Sequence, residues 1–373
     1  MSQPSVLLLS MALDFGGAET HVISLAKALQ KNGLRVLVAS NGGRLVGELE
    51  AAGIRHYTVA LHARKPLALL GSIGVVKRIV QSEGVQLMHA HARIPAWVAQ
   101  KVSRSTQVPL VTTYHGLYNA HWLLRLFTTA GQQTIAVSHD VKEHLITKLG
   151  VPAAKITVIH NGIDTEQFAA VAQPDHRQQI TYISRMSGGR GGVALVLLEA
   201  LAILHDEFPE LRLVIVGEGD RLPEVRALAE ELNARWSGDF CQALGGRTDI
   251  PQLLAQAGIV VGVGRAALEA MASGRPVIIA GEYGTYGLLE AATLPLAMEH
   301  NFSGRGSQLP TEPDILANIL RDVLSDPERA ERAAQLARDT VQVHYSMVEK
   351  AHEVLAVYAQ AVPDLLVRGE TGV

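Results

Sequence analysis

The sequence predicts an α/β protein with two Rossmann-like domains, whose parallel sheets face each other across an interdomain cleft. Two observations favour this fold class. Short apolar runs alternate with segments of helical period in both halves of the chain, and this alternation is typical of parallel strands joined by crossover helices. A length of 373 residues also fits two domains of ordinary size. Ligands of such sheets bind beyond the carboxyl ends of the strands, which is where we expect the cleft.

The first half of the chain contains six apolar runs that we interpret as strands. The first run leads through Gly16-Gly17 into a helical face that carries Val22, Leu25 and Leu29. The predicted strands span residues 5–10, 34–39, 85–88, 110–113, 134–137 and 156–159.

The pattern restarts after a polar segment, residues 170–179, that contains Pro174 and fits an interdomain linker. The strands predicted beyond it span residues 180–184, 211–216, 259–261 and 276–280, and the helices 193–205, 222–232, 265–273, 312–324, 327–344 and 347–361. We therefore predict domains at 1–170 and 171–345. We expect the C-terminal helical segment, 346–373, to pack back on the first domain.

The charge and the apolar stretches limit the class of protein. A net charge of −3 argues against nucleic-acid binding through bulk electrostatics. The single cysteine, Cys241, favours a reducing, cytoplasmic compartment. No signal peptide is recognisable at the N-terminus, and the longest apolar stretch, residues 67–76, is too short for a membrane span.

The charge is unevenly distributed between the two halves. Residues 1–150 hold 15 Lys and Arg against 7 Asp and Glu, a net charge of +8, and residues 151–373 hold 18 against 29, a net charge of −11. A basic first domain favours an anionic acceptor or the surface of an anionic membrane. Residues 121–127 (HWLLRLF) are either a membrane-facing amphipathic patch or a core helix.

Two glycine-rich loops lie between predicted strands and helices. Gly16 and Gly17 either let the backbone approach a phosphate at a helix N-terminus or form an ordinary turn. The second loop, residues 188–192, lies beside Arg185 and Arg190. Two guanidinium groups next to such a loop suit a diphosphate, because each offers a permanently charged fork.

A third segment combines a glycine with a carboxylate. Gly264 and Arg265 open a predicted helix, and Glu269 lies one turn further. The carboxylate either accepts hydrogen bonds from a pair of ribose hydroxyls or stabilises the helix N-terminus.

Histidines follow two of the predicted strands. His89 and His91 follow one strand and His115 follows the next, so all three are expected near the cleft. We expect a neutral imidazole that donates to substrate hydroxyls rather than a metal ligand, because residues i and i+2 leaving a strand should diverge. The chain has no Asp-x-Asp motif to anchor a catalytic cation, so no metal site is predicted.

These motifs together resemble the group 1 retaining glycosyltransferases of GT-B fold (glycosyltransferase family 4-like), from Ser5 to about Tyr358. The order and spacing of the matching pieces carry the resemblance. They are residues 16–19 (GGAE), 113–116 (TYHG), 136–138 (AVS), 158–164 (VIHNGID), 184–185 (SR), 213–217 (LVIVG) and 268–277 (LEAMASGRPV).

The resemblance implies metal-independent transfer of a hexosyl-type sugar, with retention, from a UDP- or GDP-linked donor. The donor is a substrate, and no cofactor is implied. The acceptor would bind the first domain and the nucleotide sugar the second. A glycan or lipid-linked acceptor would place the protein in cell-envelope polysaccharide synthesis, in the cytoplasm with peripheral contact at the inner face of the membrane.

The resemblance also assigns roles to individual residues. The catalytic set would be His115, contacting the transferred sugar, and Arg185 and Arg190, neutralising the leaving diphosphate. The donor or acceptor would be bound by Gly16, Gly17, Gly246, Arg247 and Glu269, and we add Gly264, Arg265 and Glu282 as further candidates for substrate binding. Among these, Glu269 would hold the ribose, and the Gly246-Arg247 loop would lie near the base. Retention would follow from front-face attack, with the leaving phosphate taking the acceptor proton.

The sequence departs from the family pattern near the donor sugar. The usual glutamate eight residues before Glu269 is Val261, and the usual glycine pair after the next strand is replaced by residues 281–284 (GEYG). We expect Arg265 or Glu282 to supply part of the missing sugar contact.

Three other functions compete with this interpretation. A nucleotide-sugar epimerase shares the fold, and a non-catalytic homologue would share the donor pocket. Residues 189–194 formally fit the dinucleotide fingerprint of an oxidoreductase, but no acidic residue ends the following strand.

Overall fold

A computed structural model describes residues 3–14, 16–62, 66–125, 127–169, 178–363 and 365. The chain forms two compact units, Met1–Gly162 with Met347–Val373, and Ile163–Ser346. The boundary lies earlier than residue 170, because Ile163 already bridges to Ser346 and its N–H donates to the carbonyl of Tyr345. Most of the predicted linker, residues 170–177, lies outside the described residues.

The first unit is built on a seven-stranded parallel sheet in the order β3-β2-β1-β4-β5-β6-β7. Its strands are β1 (Ser5–Ser10), β2 (Arg35–Ser40), β3 (Arg55–Thr58), β4 (Leu87–His91), β5 (Leu110–Tyr114), β6 (Gln133–Ala136) and β7 (Ile156–Val158). Successive side chains of β1 belong to different cores: Val6 and Leu8 pack on one face of the sheet, and Leu7 and Leu9 on the other.

Helices cover both faces of this sheet. They are α1 (Gly17–Lys31), α2 (Val46–Ala51), α3 (Pro66–Ser82), α4 (Arg93–Thr106), the single turn α5 (Trp122–Arg125), α6 (His139–Thr147) and, from the chain end, α14 (Met347–Ala361). The core with Val6 and Leu8 includes side chains of α1, α2 and α14, and the opposite core includes those of α3 and α4. Helix α14 buries Met347, Val354 and Tyr358, so the end of the chain completes the first unit.

The second unit contains a six-stranded sheet in the order β10-β9-β8-β11-β12-β13. Its strands are β8 (Gln179–Ile183), β9 (Arg212–Val216), β10 (Cys241–Gly245), β11 (Ile259–Gly262), β12 (Val277–Gly281) and β13 (Gly284–Leu288). One edge departs from the parallel arrangement of the other strands, because β13 runs antiparallel to β12. The connection is a hairpin of two residues, Glu282 and Tyr283, and Gly284 follows it with φ 134°.

The helices of the second unit pack in two main cores, and only one of these contains the apolar helix α7. The helices are α7 (Gly188–Leu204), α8 (Leu222–Trp236), α9 (Ile250–Gln256), α10 (Arg265–Ala272), α11 (Leu294–Glu299), α12 (Pro313–Ser325) and α13 (Pro327–His344). Across the described part of the chain, we find no helix whose length and apolar character would let it cross a membrane.

Candidate functional site

A cluster of buried histidines lies at the carboxyl edge of the first unit's sheet. His89 and His91 belong to β4 itself rather than to the loop after it, and His115 directly follows the neighbouring strand β5. The expectation that His89 and His91 diverge is wrong, because residues i and i+2 within a strand point to the same face. Their ring centroids are 4.1 Å apart.

Hydrogen bonds connect this cluster to the sheet and to the last helix. The Nδ1 atom of His89 is 2.7 Å from the hydroxyl of Tyr358 in α14, and its Nε2 atom is 2.7 Å from Oγ1 of Thr113. The Nδ1 atom of His91 is 3.1 Å from Nε2 of His115. His21 of α1 approaches His115 edge-on, with ring centroids 5.2 Å apart.

Burial keeps these imidazoles neutral. It lowers the pKa of His89 to about 3 and that of His115 to about 4, and it holds the pKa of His91 well below its usual value. A neutral imidazole carries one N–H donor and one acceptor, so the cluster offers hydrogen bonds rather than charge to a substrate. Within the described ranges, no group of three or more His, Cys, Asp or Glu side chains is arranged to hold a metal ion.

The first glycine motif, Gly16-Gly17, lies at the start of helix α1. Gly17 begins α1, and the carbonyl of Gly16 accepts from the backbone N–H and the hydroxyl of Thr20, both at 3.0 Å. The backbone of Gly16 is extended at φ 176°, a conformation open to any residue. The strand-to-helix turn explains these contacts, and a role toward phosphate stays a prediction.

The second glycine motif is the first turn of α7 rather than a loop. Helix α7 begins at Gly188, five residues before its predicted start, and Arg190 lies within that turn. The guanidinium Nε of Arg190 is 3.6 Å from Oε1 of Glu282 in the β12–β13 hairpin. A Cβ at Gly189 would be 2.7 Å from the Cβ of Glu282, so only glycine lets the hairpin lie this close.

The structure also brings together Arg265 and Glu269, one turn apart in α10. The Nε of Arg265 donates to Oε1 of Glu269 at 2.8 Å, and the two side chains are 8% and 10% exposed. Burial raises the pKa of the Glu269 carboxyl, and the Arg265 cation opposes that rise. A ribose hydroxyl bound to the Glu269 carboxylate would therefore share that carboxylate with the guanidinium of Arg265.

Gly264 adopts a backbone conformation that favours glycine, with φ 59° and ψ −123°. Its N–H donates to the carbonyl of Phe302 at 2.8 Å, which fixes the start of α10. Three residues earlier, the Val261 side chain is fully buried in the core of the unit. Position 261 therefore offers no group to a ligand.

The remaining predicted residues occupy two further places. Arg185 lies two residues beyond the end of β8 and is exposed. Gly246 lies against Glu218, because a Cβ there would be 2.8 Å from the Glu218 carboxyl carbon. Arg247 forms a bidentate pair with Asp249, with distances of 2.7 and 2.5 Å.

Sequence reasoning missed a further arginine near the first turn of α7. The side chain of Arg221 lies against Gly191 and Gly192, where added Cβ atoms would be 2.9 and 3.0 Å from its Cβ and Nη1 atoms. Arg221 also forms a bidentate pair with Glu224, at 2.8 and 3.0 Å. Gly191 and Gly192 could have indicated this contact, because glycines leave room for a large side chain to pack beside the start of a helix.

The segment 121–127 is not the core helix that one interpretation predicted. Only the single turn α5 forms there, and the side chain of Trp122 is 66% exposed. Residue 126 lies outside the described residues. The described part of the segment is surface.

Comparison with known proteins gives two family matches that follow each other along the chain. The model of Glycosyltransferase Family 4 matches residues 15–167, and that of Glycosyl transferases group 1 matches residues 164–340. An uncharacterised glycosyltransferase of Methanocaldococcus jannaschii is 26% identical over 381 residues, covering 92% of this chain and 94% of the relative. A phosphatidyl-myo-inositol mannosyltransferase of Mycolicibacterium smegmatis is 26% identical over 376 residues, covering 92% and 90%.

A solved structure supports the same fold. The Anabaena protein HepE, crystallised with UDP and glucose, superimposes with a TM-score of 0.75 at 22% identity, covering 95% of this chain and 99% of that protein. The predicted pair of Rossmann-like domains is confirmed. From the two family matches and these relatives we conclude that the chain is a GT-B enzyme and belongs to the group 1 glycosyltransferases.

Proposed function

We propose that this enzyme transfers a sugar from a UDP- or GDP-linked donor, with retention and without a metal ion, to a glycan or lipid-linked acceptor. The observation that carries the proposal is the carboxyl edge of the second sheet. The adjacent strands β8, β11 and β12 end there, followed by Arg185, by Gly264 at the start of α10, and by Glu282 in the hairpin. Arginines beside glycine-rich helix starts suit a diphosphate.

The relatives support the substrate class. HepE was crystallised with UDP and glucose, and the mycobacterial relative is named a phosphatidyl-myo-inositol mannosyltransferase. In the proposed reaction Arg185 and Arg190 neutralise the leaving diphosphate, Glu269 binds the ribose, and His115 donates to the transferred sugar. The acceptor attacks from the face that the leaving group vacates, and the leaving phosphate takes its proton.

A donor screen tests this proposal. UDP- and GDP-linked sugars are incubated with the enzyme, with and without candidate lipid or glycan acceptors and with EDTA, and released nucleotide is measured. We expect acceptor-dependent release that EDTA leaves unchanged. Release without transfer to any acceptor, or conversion of the donor to its epimer, would contradict a transferase.

The contact that Val261 cannot make is tested with the same screen. We propose that Arg265 or Glu282 supplies it, because Arg265 follows β11, the strand that contains Val261, and Glu282 follows the neighbouring strand β12. Arg265→Ala or Glu282→Gln is expected to change the ranking of sugars attached to one nucleotide. Unchanged rankings and rates in both variants would reject this assignment.

We further propose that the first unit binds the cytoplasmic surface of an anionic membrane. It carries the excess of Lys and Arg, and Leu67, Leu70 and Trp122 are 84%, 61% and 66% exposed. Exposed apolar side chains on a basic surface suit the interface of an anionic bilayer.

Vesicle flotation of the whole chain tests this contact. We expect binding to anionic vesicles that weakens with salt, and weaker binding by Leu67→Gln. Val343→Gln is the matched control, because Val343 is 67% exposed but lies in the second unit. Binding that is absent, or that salt does not affect, would contradict the proposal.

A further inference from the structure

The two ring nitrogens of His115 have different surroundings. Its Nε2 atom lies 3.1 Å from Nδ1 of His91, within hydrogen-bond distance. Its Nδ1 atom is buried and completes no hydrogen bond. A buried polar atom with no partner is costly, so this nitrogen is the natural contact for a ligand.

The contact between the two rings restricts where their protons can be. Both imidazoles are neutral, so each ring carries one proton. Either His91 donates from Nδ1 and the proton of His115 is on its Nδ1, or His115 donates from Nε2 and its Nδ1 carries a lone pair. The tautomers of the two residues are therefore coupled.

Asn161 distinguishes the two arrangements. Burial lowers the pKa of His115, and the Asn161 side chain, close enough to act as its hydrogen-bond partner, partly opposes that shift, as an acceptor beside an N–H does. The Oδ1 atom of Asn161 is itself buried without a hydrogen-bond partner. Because a carbonyl oxygen only accepts, it favours a proton on the nitrogen of His115 that His91 does not occupy.

We infer that His91 is a positioning residue that fixes the tautomer of His115. The Nδ1–H of His91 donates to Nε2 of His115, which places the proton of His115 on Nδ1. A ligand hydroxyl can then accept from Nδ1–H of His115 and donate to Oδ1 of Asn161, satisfying both partnerless atoms. That the hydroxyl belongs to the transferred sugar rests on the proposed function, whereas the tautomer itself does not.

The tautomer is measured directly by ¹⁵N NMR of the histidine rings in the full-length protein. The His115 signals are assigned from their loss in His115→Gln. In the wild type we expect a protonated Nδ1 and an unprotonated Nε2. A wild-type His115 protonated on Nε2 would overturn the inference without any further variant.

Two substitutions and a control separate positioning from general packing. His91→Phe keeps a ring but removes the donor, so the proton of His115 should shift toward Nε2. His91→Asn retains an N–H donor and should restore the wild-type tautomer. His89→Gln is the control, because His89 bonds to Tyr358 and Thr113 and not to His115. A tautomer that His91→Phe leaves unchanged would refute the role.

Kinetics supply a second readout that is independent of the first. With a donor sugar that the wild type uses, His91→Phe should lower kcat at least about tenfold and change KM less than about twofold. His91→Asn should recover most of that loss. If the protein transfers no sugar, the proposed function fails, and the NMR result still decides the role of His91.

Discussion

At the scale of single residues, the pair formed by Arg265 and Glu269 combines charge with burial. Arg265→Ala removes the cation beside a buried carboxylate, and we expect the free energy of unfolding to fall by about 3–5 kcal/mol. Burial already raises the pKa of Glu269 above its value in the unfolded chain. In the variant, the folded state binds a proton on Glu269 more tightly than the unfolded state does. The stability of the variant therefore falls as the pH rises from the pKa of Glu269 in the unfolded chain to its higher pKa in the folded state.

Urea denaturation at pH 5 and pH 8 measures this effect, and the loss should be larger at pH 8. Arg247→Ala is the control, because the Arg247–Asp249 pair is 42% and 36% exposed. Its cost should stay within about 1 kcal/mol. Equal losses at both pH values would contradict the assigned coupling.

The histidine cluster predicts sensitivity to acid. Burial holds the pKa of His89 near 3 and that of His115 near 4, below the usual 6.5. The unfolded chain therefore takes up protons first, and stability that is complete above about pH 6.5 is lost as the pH falls toward 4. Each such histidine contributes a slope of up to about 1.4 kcal/mol per pH unit.

Thermal unfolding between pH 7.5 and 4.5 measures that slope. His89→Gln should reduce that slope by the contribution of one titrating imidazole, because the unfolded variant takes up about one proton fewer. Tyr358→Phe removes the hydrogen bond to His89 but leaves the imidazole in place, so it should lower stability without changing the slope. If His89→Gln keeps the full slope, His89 does not contribute to it.

Only some of the positions and partners of the candidate site residues could be predicted from the sequence. The position of His115 at the carboxyl edge of the sheet was predictable, because it directly follows an apolar run that forms the buried strand β5. The role of His91 was not, because it depends on two strands, β4 and β5, placing two rings 3.1 Å apart at their nearest nitrogens. The partners of Arg190 and Arg265 were equally hidden, since pairing depends on side-chain geometry.

At the scale of secondary-structure elements, the first turn of α7 gives a test with a matched control. Gly189→Ala would place a Cβ 2.7 Å from the Cβ of Glu282, so the hairpin must shift, and we expect a cost of about 1–3 kcal/mol. Gly74→Ala in α3 meets no atom within 4 Å and should stabilise the protein by about 0.5–1 kcal/mol.

A double-mutant cycle with Glu282→Gly shows whether the contact is responsible. The cost of Gly189→Ala should largely disappear in that background, as measured by thermal unfolding. A cost that persists would place the strain elsewhere in the helix.

The strands that sequence reasoning missed share a position. Strands β3, β10 and β13 were not predicted, and all three are sheet edges. Edge strands need no continuous apolar run, because one side of the strand has no neighbour; the sequence of β3 is Arg-His-Tyr-Thr. The prediction ended strand β4 three residues too early, at Met88, because His89 and His91 interrupt its apolar pattern although both are buried.

At the scale of the whole molecule, the first unit depends on the last helix of the chain. Met347, Val354, Val357 and Tyr358 of α14 are buried in its core. A chain ending at Ser346 loses these contacts, each worth about 1.5–3 kcal/mol, against a typical total stability of about 5–15 kcal/mol. We expect the first unit of that chain to become sensitive to proteolysis while residues 163–346 stay resistant.

Limited proteolysis with mass spectrometry checks this expectation, and the full-length chain is the control. Resistance of residues 1–162 in the truncated chain would show that the sheet is stable without α14. The bounds of α13 and α14 were predicted correctly, since their helical periods are long and clear. We also expected the C-terminal helical segment to pack on the first domain, although helical periodicity alone does not encode which unit α14 completes.

The return of the chain to its first unit also has a consequence for biosynthesis. Between Gly162 and Met347, 184 residues of the second unit must be translated, which takes roughly 10–40 s at ordinary rates of elongation. During that time α14 has not been synthesised. The apolar surface of the first unit on which α14 packs is then exposed, and His89 lacks its hydrogen bond to the hydroxyl of Tyr358. We therefore expect the first unit, although it leaves the ribosome first, to complete its core only after α14 has been synthesised.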